Sequence, residues 1–182
     1  MKKPKLIVLD VDGVLTNGRK IYDQTGRPIY KQFNDRDFTA IKIFKAMGIK
    51  VCFITADKLN MNVAADRNIE CFVARDKSNR IMKKEALLEA KKFYNIKDSA
   101  DVWAVGDDVF DIELFDECGQ AFCPADTPKY VAQAAQEVLP LDGGAGVVSA
   151  LLEFYFTEFI LTAKFDMEKL KLLDAKEGWS KK

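Results

Sequence analysis

Three short clusters of acidic and polar residues follow three apolar runs in this chain of 182 residues. The runs occupy residues 6–9, 51–54 and 102–105, and uninterrupted apolar runs of this length favour strands covered on both faces at the centre of a parallel sheet. The clusters that follow them are Asp10-Val11-Asp12-Gly13, Thr55-Ala56-Asp57-Lys58 and Gly106-Asp107-Asp108-Val109-Phe110-Asp111. Because the carboxyl ends of such strands form the ligand crevice of an open sheet, the three clusters should converge in space.

The carboxylates of these clusters predict a metal ion. Two carboxylates about 4 Å apart repel each other by roughly 4 kcal/mol at an effective dielectric constant of about 20, so Asp10 and Asp107 can lie together only with a cation or a bound proton. Oxygen donors in a chain without histidine favour Mg²⁺ over zinc. A magnesium ion held by carboxylates most often bridges to a phosphate, which predicts a phosphorylated substrate.

The first two clusters offer the groups that phosphoryl transfer needs. Asp10 would be both a metal ligand and the nucleophile that forms an aspartyl-phosphate, and Asp12 would protonate the leaving alkoxide and later deprotonate water. Thr55 offers a hydroxyl and a loop N–H to the phosphoryl oxygens, and a lysine would complete the charge balance. Each residue also has a structural interpretation: Asp12 would lie in a turn, Asp107 and Asp111 at a helix start, and Thr55 would have a structural role.

Composition excludes several other classes of protein. The chain has 48% hydrophobic residues and 28 Lys+Arg against 28 Asp+Glu, which indicates a globular domain with no overall field to attract nucleic acid or an anionic membrane. The lack of histidine excludes Ser-His-Asp and Cys-His hydrolases. The four cysteines form no C-x-x-C pair and are expected to be reduced thiols. The apolar run near the N-terminus is too short for a signal peptide, which predicts a cytoplasmic protein.

Strands and helices alternate along the chain. Helical patterns at residues 38–47, 61–67 and about 81–94 lie between the apolar runs, and this alternation predicts an α/β fold with a doubly wound parallel sheet. A β-hairpin insertion is predicted at about residues 19–33, after the first strand and its acidic loop. We expect residues 1–153 to form one domain and residues 154–182 to form a C-terminal helical tail, a candidate for packing on a neighbouring subunit.

The motifs resemble those of the haloacid dehalogenase superfamily of phosphotransferases. The first motif is Asp-Val-Asp-Gly-Val-Leu-Thr at residues 10–16, the second is Ile54-Thr55, and the fourth is Gly106-Asp107-Asp108-x-x-Asp111. The hairpin, residues 33–37 and the glycines at 143, 144 and 146 are similar to the small capless branch of 3-deoxy-D-manno-octulosonate 8-phosphate phosphatases. Relatives in that branch act on nine-carbon sialic-type sugar acid 9-phosphates. The similarity runs from about Lys5 to Leu152.

The resemblance implies a Rossmann-like core without a large cap domain and assigns roles to the acidic residues. Asp10 would be the nucleophile and a magnesium ligand, Asp12 the acid/base that also gives its backbone carbonyl to the metal, and Asp107 the third protein ligand. Asp108 and Asp111 would support them. Family members of this branch are homotetramers in which the hairpins form a shared barrel and an adjacent subunit closes each site.

The resemblance also implies which residues bind the substrate. Asn34, Arg36 and Asp37 would line the mouth of the site, with Arg36 suited to the carboxylate of a sugar acid. Their alternative interpretation is a helix entry, with Asp37 as an acid of the first turn. Asp57 and Lys58 would complete the substrate-binding set.

One departure bears on the substrate. The branch usually has Thr-Gly-Arg-Lys where this chain has Thr55-Ala56-Asp57-Lys58. An acid in place of a cation should weaken the binding of a carboxylate there. The predicted substrate is the eight-carbon 3-deoxy-D-manno-octulosonate 8-phosphate. The alternative is a nine-carbon sugar acid phosphate, whose extra hydroxyls would hydrogen-bond Asp57.

The phosphate-site lysine has three candidates. The family spacing back from Gly106 indicates Lys83 or Lys84, while Lys77 follows an aspartate as in the family but lies further upstream. On a helix, Lys83 shares a face with apolar residues that would bury its stem, which favours it over Lys84. An ordinary solvated lysine is its alternative interpretation. The glycines at 143–146 are interpreted either as an element of a neighbouring site or as a turn before a helix at Val147.

The sequence therefore predicts a magnesium-dependent phosphatase that acts on a small sugar acid phosphate through an aspartyl-phosphate. A signalling receiver domain is disfavoured, because its phosphorylated aspartate follows the third strand and no isolated acid follows Phe72-Val73 here. A non-catalytic, metal-stabilised oligomeric scaffold is the other alternative.

Overall fold

The structure, a computed structural model, describes residues 1–162 and 164–178 and contains a six-stranded parallel sheet. The strands of the chain are β1 (Leu6–Leu9), β2 (Ile21–Tyr22), β3 (Pro28–Tyr30), β4 (Lys50–Thr55), β5 (Glu70–Val73), β6 (Val102–Val105), β7 (Gln120–Cys123) and β8 (Glu137–Val138). The sheet has the order β5-β4-β1-β6-β7-β8, and each neighbouring pair is parallel. The three strands that precede the acidic clusters are thus adjacent at its centre.

Helices cover both faces of this sheet. They are α1 (Asp35–Ala46), α2 (Asn60–Asp66), α3 (Lys83–Phe93), α4 (Ile112–Phe115), α5 (Lys129–Ala132), α6 (Val147–Glu158) and α7 (Met167–Asp174), with 3₁₀ turns at Ser99–Asp101 and Val109–Asp111. Successive side chains of a strand point to opposite faces. In β1, Ile7 and Leu9 join the core under α1 and α6, while Leu6 and Val8 join the core under α3 and α4. The predicted doubly wound sheet is therefore confirmed, and the described residues form no large cap domain.

The predicted hairpin is present as a separate two-stranded sheet. Strands β2 and β3 pair antiparallel, and the turn between them is closed by Asp23, whose Oδ1 accepts the backbone N–H groups of Thr25 and Arg27 at 2.8 and 3.0 Å. The large apolar side chains of the hairpin are more than half exposed: Ile21, Tyr22, Ile29 and Tyr30. The hairpin therefore projects from the domain with its apolar side chains in solvent.

The C-terminal region packs on its own chain. Helix α6 runs through the expected domain boundary at residues 153/154, and α7 lies against α1. Glu177 is almost fully buried, 3.1 Å from the Arg67 guanidinium and 3.4 Å from the Lys42 ammonium. The described part of the tail thus packs on its own chain, and packing on a neighbouring subunit stays a prediction. The rest of the predicted tail, residue 163 and residues 179–182, lies outside the described residues.

Two further expectations concern the thiols and the membrane. All four cysteines are free, with Cys52 and Cys123 buried and Cys71 and Cys118 half-buried. Among the described residues, no helix combines the length and the apolar character that crossing a membrane requires.

Candidate active site

The three acidic clusters meet at the carboxyl edge of the central strands. Leu9 of β1 is in register with Phe53 of β4 and Val105 of β6. Asp10 continues the ladder by donating its backbone N–H to the Val105 carbonyl at 2.9 Å, and Thr55 is the last residue of β4. The buried strands therefore fix the start of each cluster at one edge of the sheet.

A buried lysine joins two of the carboxylates. The Nζ atom of Lys83, the first residue of α3, lies 2.8 Å from Asp10 Oδ1 and 2.7 Å from Asp111 Oδ1. Burial lowers the pKa of Lys83, but its attraction to Asp10 and Asp111 outweighs burial and the net shift is upward. Lys83 is therefore a fixed positive charge beside Asp10.

The two other candidate lysines lie on the surface. Lys84 is exposed and pairs with Glu117, and Lys77 is also exposed. Of the three, the structure brings only Lys83 to Asp10.

Asp10, Asp107 and Asp111 form an acidic cluster that could hold a divalent metal ion. Each offers a carboxylate oxygen within 4.8 Å of the others. Asp111 is already engaged, because its Oδ2 accepts the backbone N–H groups of Asp107 and Asp108 at 3.0 and 3.1 Å while its Oδ1 contacts Lys83. Asp10 and Asp107 are thus the carboxylates left for an ion, and Asp111 supports them.

Two observations at Asp107 fit a divalent cation. Its Oδ1 atom is buried and has no hydrogen-bond partner among the described residues. Burial, with the negative charges of Asp10 and Asp111, raises the pKa of Asp107 to about 8. Burial likewise raises the pKa of Asp10 to about 7, although Lys83 opposes the shift. A cation between these carboxylates would relieve both penalties.

Two glycines make room for the cluster. A Cβ atom at Gly13 would lie 1.9 Å from Asp107 Oδ2, and one at Gly106 would lie 2.4 Å from the Asp111 Cβ. Gly13 also has a φ of +90°, a conformation that glycine adopts without strain. The glycines of the first and fourth motifs therefore let the acidic loops touch.

Asp12 and Thr55 are linked by a residue that the sequence analysis did not select. Asn60, buried at the start of α2, donates its Nδ2 hydrogens to Thr55 Oγ1 at 2.8 Å and to Asp12 Oδ2 at 3.1 Å. The Nζ atom of Lys31, directly after β3, lies 2.8 Å from Asp12 Oδ1. An asparagine and a lysine outside the motifs carry no local signal, so only their position in the fold reveals them.

Asp57 is occupied by the hairpin lysines. Its Oδ2 atom lies 2.8 Å from the Nζ atoms of both Lys20 and Lys31. Burial raises the pKa of Asp57, but the hydrogen bonds from Lys20 and Lys31 outweigh burial and the net shift is downward. The expected role of Asp57 as a free acceptor for sugar hydroxyls therefore does not match its surroundings. The side chain of Lys58 is exposed and makes no hydrogen bond or ion pair with the described residues.

The residues expected at the mouth of the site separate into three environments. Asn34 caps α1 by accepting the Arg36 backbone N–H at 3.0 Å, and the Arg36 side chain is exposed. Asp37 is fully buried, and its Oδ1 accepts the backbone N–H groups of Val148 and Ser149 at 2.8 and 3.1 Å. The placement of Asp37 at the mouth is thus corrected: it caps the start of α6 and is not open to a substrate.

The glycine-rich segment packs on the first acidic loop of the same chain. Gly144 donates its N–H to the Val14 carbonyl at 2.9 Å, and a Cβ atom at Gly143 would lie 2.1 Å from the Gly13 carbonyl oxygen. Gly146 has a φ of +114° and precedes α6. Of the two interpretations, the turn that opens a helix at Val147 is the one the structure contains.

Comparisons with known proteins agree with this geometry. Residues 77–151 match the family model described as haloacid dehalogenase-like hydrolase. The 3-deoxy-D-manno-octulosonate 8-phosphate phosphatase of Haemophilus influenzae is 30% identical over 97% of this chain and 92% of its own length. The enzyme of the same name from Escherichia coli K12 is 29% identical over 79% of this chain and 74% of its own length.

Solved structures share the fold. The cobalt-bound form of the Haemophilus influenzae phosphatase superposes with a TM-score of 0.79 at 28% identity, covering 93% of this chain and 97% of that one. The Moraxella catarrhalis enzyme, in complex with a magnesium ion, a phosphate ion and KDO, has a TM-score of 0.73 at 24% identity, covering 85% and 86% of the two chains, and shows the fold alone.

The motif loops meet at one edge of the sheet, and the Haemophilus influenzae relative is 30% identical over almost the whole of this chain. The chain therefore belongs to the haloacid dehalogenase-like hydrolases, in the capless branch of the 3-deoxy-D-manno-octulosonate 8-phosphate phosphatases, and it is a phosphatase.

Proposed function

We propose that this chain hydrolyses 3-deoxy-D-manno-octulosonate 8-phosphate with Mg²⁺ through an aspartyl-phosphate. The observation that carries the proposal is the contact of Asp10 with the buried Lys83 ammonium, 2.8 Å away, at an edge where Asp107 also lies. The activity named for the Haemophilus influenzae relative supports the substrate.

The reaction consists of two displacements at phosphorus. A carboxylate oxygen of Asp10 forms a bond to phosphorus while the bond from phosphorus to the sugar oxygen breaks, and Asp12 gives a proton to that oxygen. Water then attacks the aspartyl-phosphate, Asp12 takes its proton, and inorganic phosphate leaves with Asp10 regenerated. Lys83 holds the Asp10 carboxylate in place through both steps.

Thr55 is suited to donate a hydrogen bond to a phosphoryl oxygen. Its Oγ1 atom accepts the Asn60 side-chain amide at 2.8 Å and the Asp57 backbone N–H at 3.2 Å. With both acceptor positions filled, the hydroxyl proton is left for another acceptor. A phosphoryl oxygen at the end of β4 would supply it.

The metal would be held by Asp10, Asp107 and the backbone carbonyl of Asp12. When bound, it would neutralise charge on the phosphoryl group and lower the repulsion between that group and the carboxylates. Magnesium is proposed because the donors are oxygen atoms and the chain has no histidine. The cobalt-bound form of the Haemophilus influenzae relative supports a divalent ion.

The surroundings of Asp57 bear on the choice of sugar acid. Lys20 and Lys31 lie on its carboxylate, so Asp57 is not a free acceptor for the extra hydroxyls of a nine-carbon sugar acid. This favours the eight-carbon substrate over the nine-carbon sugar acid 9-phosphate. Arg36 and Lys58, both exposed, are proposed to meet the substrate carboxylate.

A homotetramer is proposed as the active assembly. The exposed apolar residues of the hairpin, Ile21, Tyr22, Ile29 and Tyr30, form a surface suited to burial against other copies of the chain. Sedimentation of the purified protein tests this assembly. A monomer at micromolar concentration would contradict it.

The function is tested with eight-carbon and nine-carbon sugar acid phosphates, assayed with Mg²⁺ and with EDTA. We expect the highest kcat/KM with the eight-carbon ester, loss of turnover in EDTA, and loss of turnover in Asp10→Asn with the fold retained. Turnover by Asp10→Asn at the wild-type rate would contradict the nucleophile. No turnover of any ester by the wild-type protein would instead favour the scaffold.

A further inference from the structure

Lys31 has an unusual set of contacts for a lysine beside a hairpin. Four side-chain oxygens lie around its Nζ atom: Asp12 Oδ1 at 2.8 Å, Asp12 Oδ2 at 3.0 Å, Asp57 Oδ2 at 2.8 Å and Asn60 Oδ1 at 2.7 Å. An ammonium group has only three hydrogens to donate. Every donor of Lys31 is therefore committed within the protein, and none is left for a substrate.

Lys31 is also almost buried, which distinguishes it from ordinary surface lysines. Its side chain is 9% exposed, whereas the Asp12 and Asp57 side chains that it joins are 24% and 21% exposed. Ion pairs at this depth are less screened by solvent than surface pairs. The contact therefore fixes the orientation of the Asp12 carboxylate more firmly than a surface pair would.

The network extends from Lys31 to the second motif. Asn60 accepts from Lys31 and donates to both Asp12 and Thr55. Asp12 is thus held from two sides, by a lysine from the hairpin and by an amide from α2. Neither partner belongs to the acidic cluster of Asp10 and Asp107.

We propose that Lys31 is a positioning residue that aims the Asp12 carboxylate at the leaving-group oxygen, so that the hairpin sets the geometry of proton transfer. The inference rests on the proposed function, since it assumes that Asp12 handles the proton. Asp57 serves as the second counterion that holds the Lys31 ammonium between the two loops.

Proton transfer to the leaving group provides a specific readout. A poor leaving group needs a proton as its bond to phosphorus breaks, and a good one does not. The value of kcat/KM covers the steps up to release of that group. A variant that misplaces Asp12 should therefore lose kcat/KM with a poor leaving group and retain it with a good one.

The experiment compares phenyl phosphate with 4-nitrophenyl phosphate in the full-length protein with Mg²⁺. The two esters are similar in size and lack a carboxylate, so loss of a carboxylate-binding lysine would affect them equally. For Lys31→Met we expect kcat/KM to fall about 10²-fold with phenyl phosphate and less than about 3-fold with 4-nitrophenyl phosphate. Arg27→Met, which removes an exposed charge at the turn of the same hairpin, should leave both values unchanged.

A double-mutant cycle tests whether Lys31 acts through Asp12. In an Asp12→Asn background, Lys31→Met should cost less than about 3-fold further with phenyl phosphate, because residues that act through one another are not additive. If Lys31→Met does not fold, as judged by circular dichroism, Lys31→Gln replaces it with the same expected pattern.

Equal losses with the two esters, or the same loss in the wild-type and Asp12→Asn backgrounds, would overturn the role of Lys31. Those results leave the proposed phosphatase reaction intact. Failure of the wild-type protein to hydrolyse these esters and the eight-carbon sugar acid phosphate would instead overturn the reaction, and the role of Lys31 with it.

Discussion

The Nζ atom of Lys83 lies 2.8 Å from Asp10 Oδ1 and 2.7 Å from Asp111 Oδ1, and all three side chains are buried. One cation thus compensates two carboxylates taken out of water. Removing one member of such a cluster is costly, because the others stay buried without a partner. The proposed catalytic arrangement and the stability of the domain therefore depend on the same contact.

Replacing Lys83 by methionine should both destabilise and inactivate the protein. We expect a loss of about 3–5 kcal/mol in the free energy of unfolding, the usual cost of breaking a buried pair, and a fall in kcat of at least about 10²-fold. Urea denaturation at pH 7.5 and phosphate release measure the two effects. Lys84→Met removes the neighbouring exposed lysine and should change neither; equal effects of the two variants would contradict the role of Lys83.

Asp107 should destabilise the metal-free protein and stabilise it once Mg²⁺ is bound. Its pKa is raised to about 8 by burial and by Asp10 and Asp111. The folded state therefore holds a proton that the unfolded state has lost, and stability from this group falls as pH rises from about 4 to about 8. In EDTA at pH 8, Asp107→Asn should be at least about 1 kcal/mol more stable than the wild type, roughly 2–4 °C in Tm.

Magnesium should reverse that order. Ligand that binds only the folded state raises Tm with concentration, so Mg²⁺ should raise the Tm of the wild type and leave that of Asp107→Asn unchanged. Asp108→Asn, which removes an exposed acid from the same loop, should respond to Mg²⁺ as the wild type does. An equal Mg²⁺ response in Asp107→Asn would exclude Asp107 as a ligand.

Much of the fold follows from local pattern. The apolar runs at residues 6–9 and 102–105 coincide with β1 and β6 to the residue, because a strand covered on both faces admits no polar position. The meeting of Asp10 and Asp107 follows from the rule that parallel strands share a carboxyl edge. Burial of the stem of Lys83 follows from its helical face.

Other placements depend on partners far away in the chain. Asp37 occupies a first-turn position that suits either a substrate mouth or a cap, and its choice is decided by Val148 and Ser149, more than 100 residues away. Asp57 is expected to accept hydrogen bonds from sugar hydroxyls, but in the structure its carboxylate pairs with Lys20 and Lys31. Local sequence carries no information about such contacts, so these assignments required the tertiary structure.

Gly13 should be required because its Cα lies against the Asp107 carboxylate, and not only because its φ is positive. A Cβ atom at this position would lie 1.9 Å from Asp107 Oδ2, so Gly13→Ala should displace that carboxylate and lower kcat/KM at least about 10²-fold. The matched control is Gly26→Ala in the hairpin turn. Its φ of +77° is similar to the +90° of Gly13, but a Cβ atom there has no neighbour within 4 Å among the described residues.

Both alanine variants carry the cost of a positive φ, about 1 kcal/mol, and a fall in Tm shared by the two measures it. Only Gly13→Ala should also lose activity and the Mg²⁺-dependent rise in Tm. Equal kcat/KM values for the two variants would show that the close approach to Asp107 is not needed for the reaction.

Ionisation of Asp37 should make the free energy of unfolding depend on pH without affecting catalysis. Burial raises its pKa to about 6, although the N–H groups of Ser149 and Val148 oppose the shift, and among the described residues its Oδ2 atom has no hydrogen-bond partner. Because the folded-state pKa exceeds the ordinary value of 3.8, the stability from this group is present below about pH 4 and is lost as pH rises to about 6.

Asp37→Asn removes this titration and keeps an oxygen that can accept the α6 N–H groups. The wild type should therefore lose about 1–3 kcal/mol of unfolding free energy relative to Asp37→Asn between pH 4 and pH 6, as measured by urea denaturation. Asp35→Asn changes an exposed acid on the same helix turn and should give no such difference. Because Asp37 lies inside the protein against α6, kcat/KM of Asp37→Asn should stay within about 3-fold of the wild type. A large rise in KM would instead show that Asp37 contributes to substrate binding.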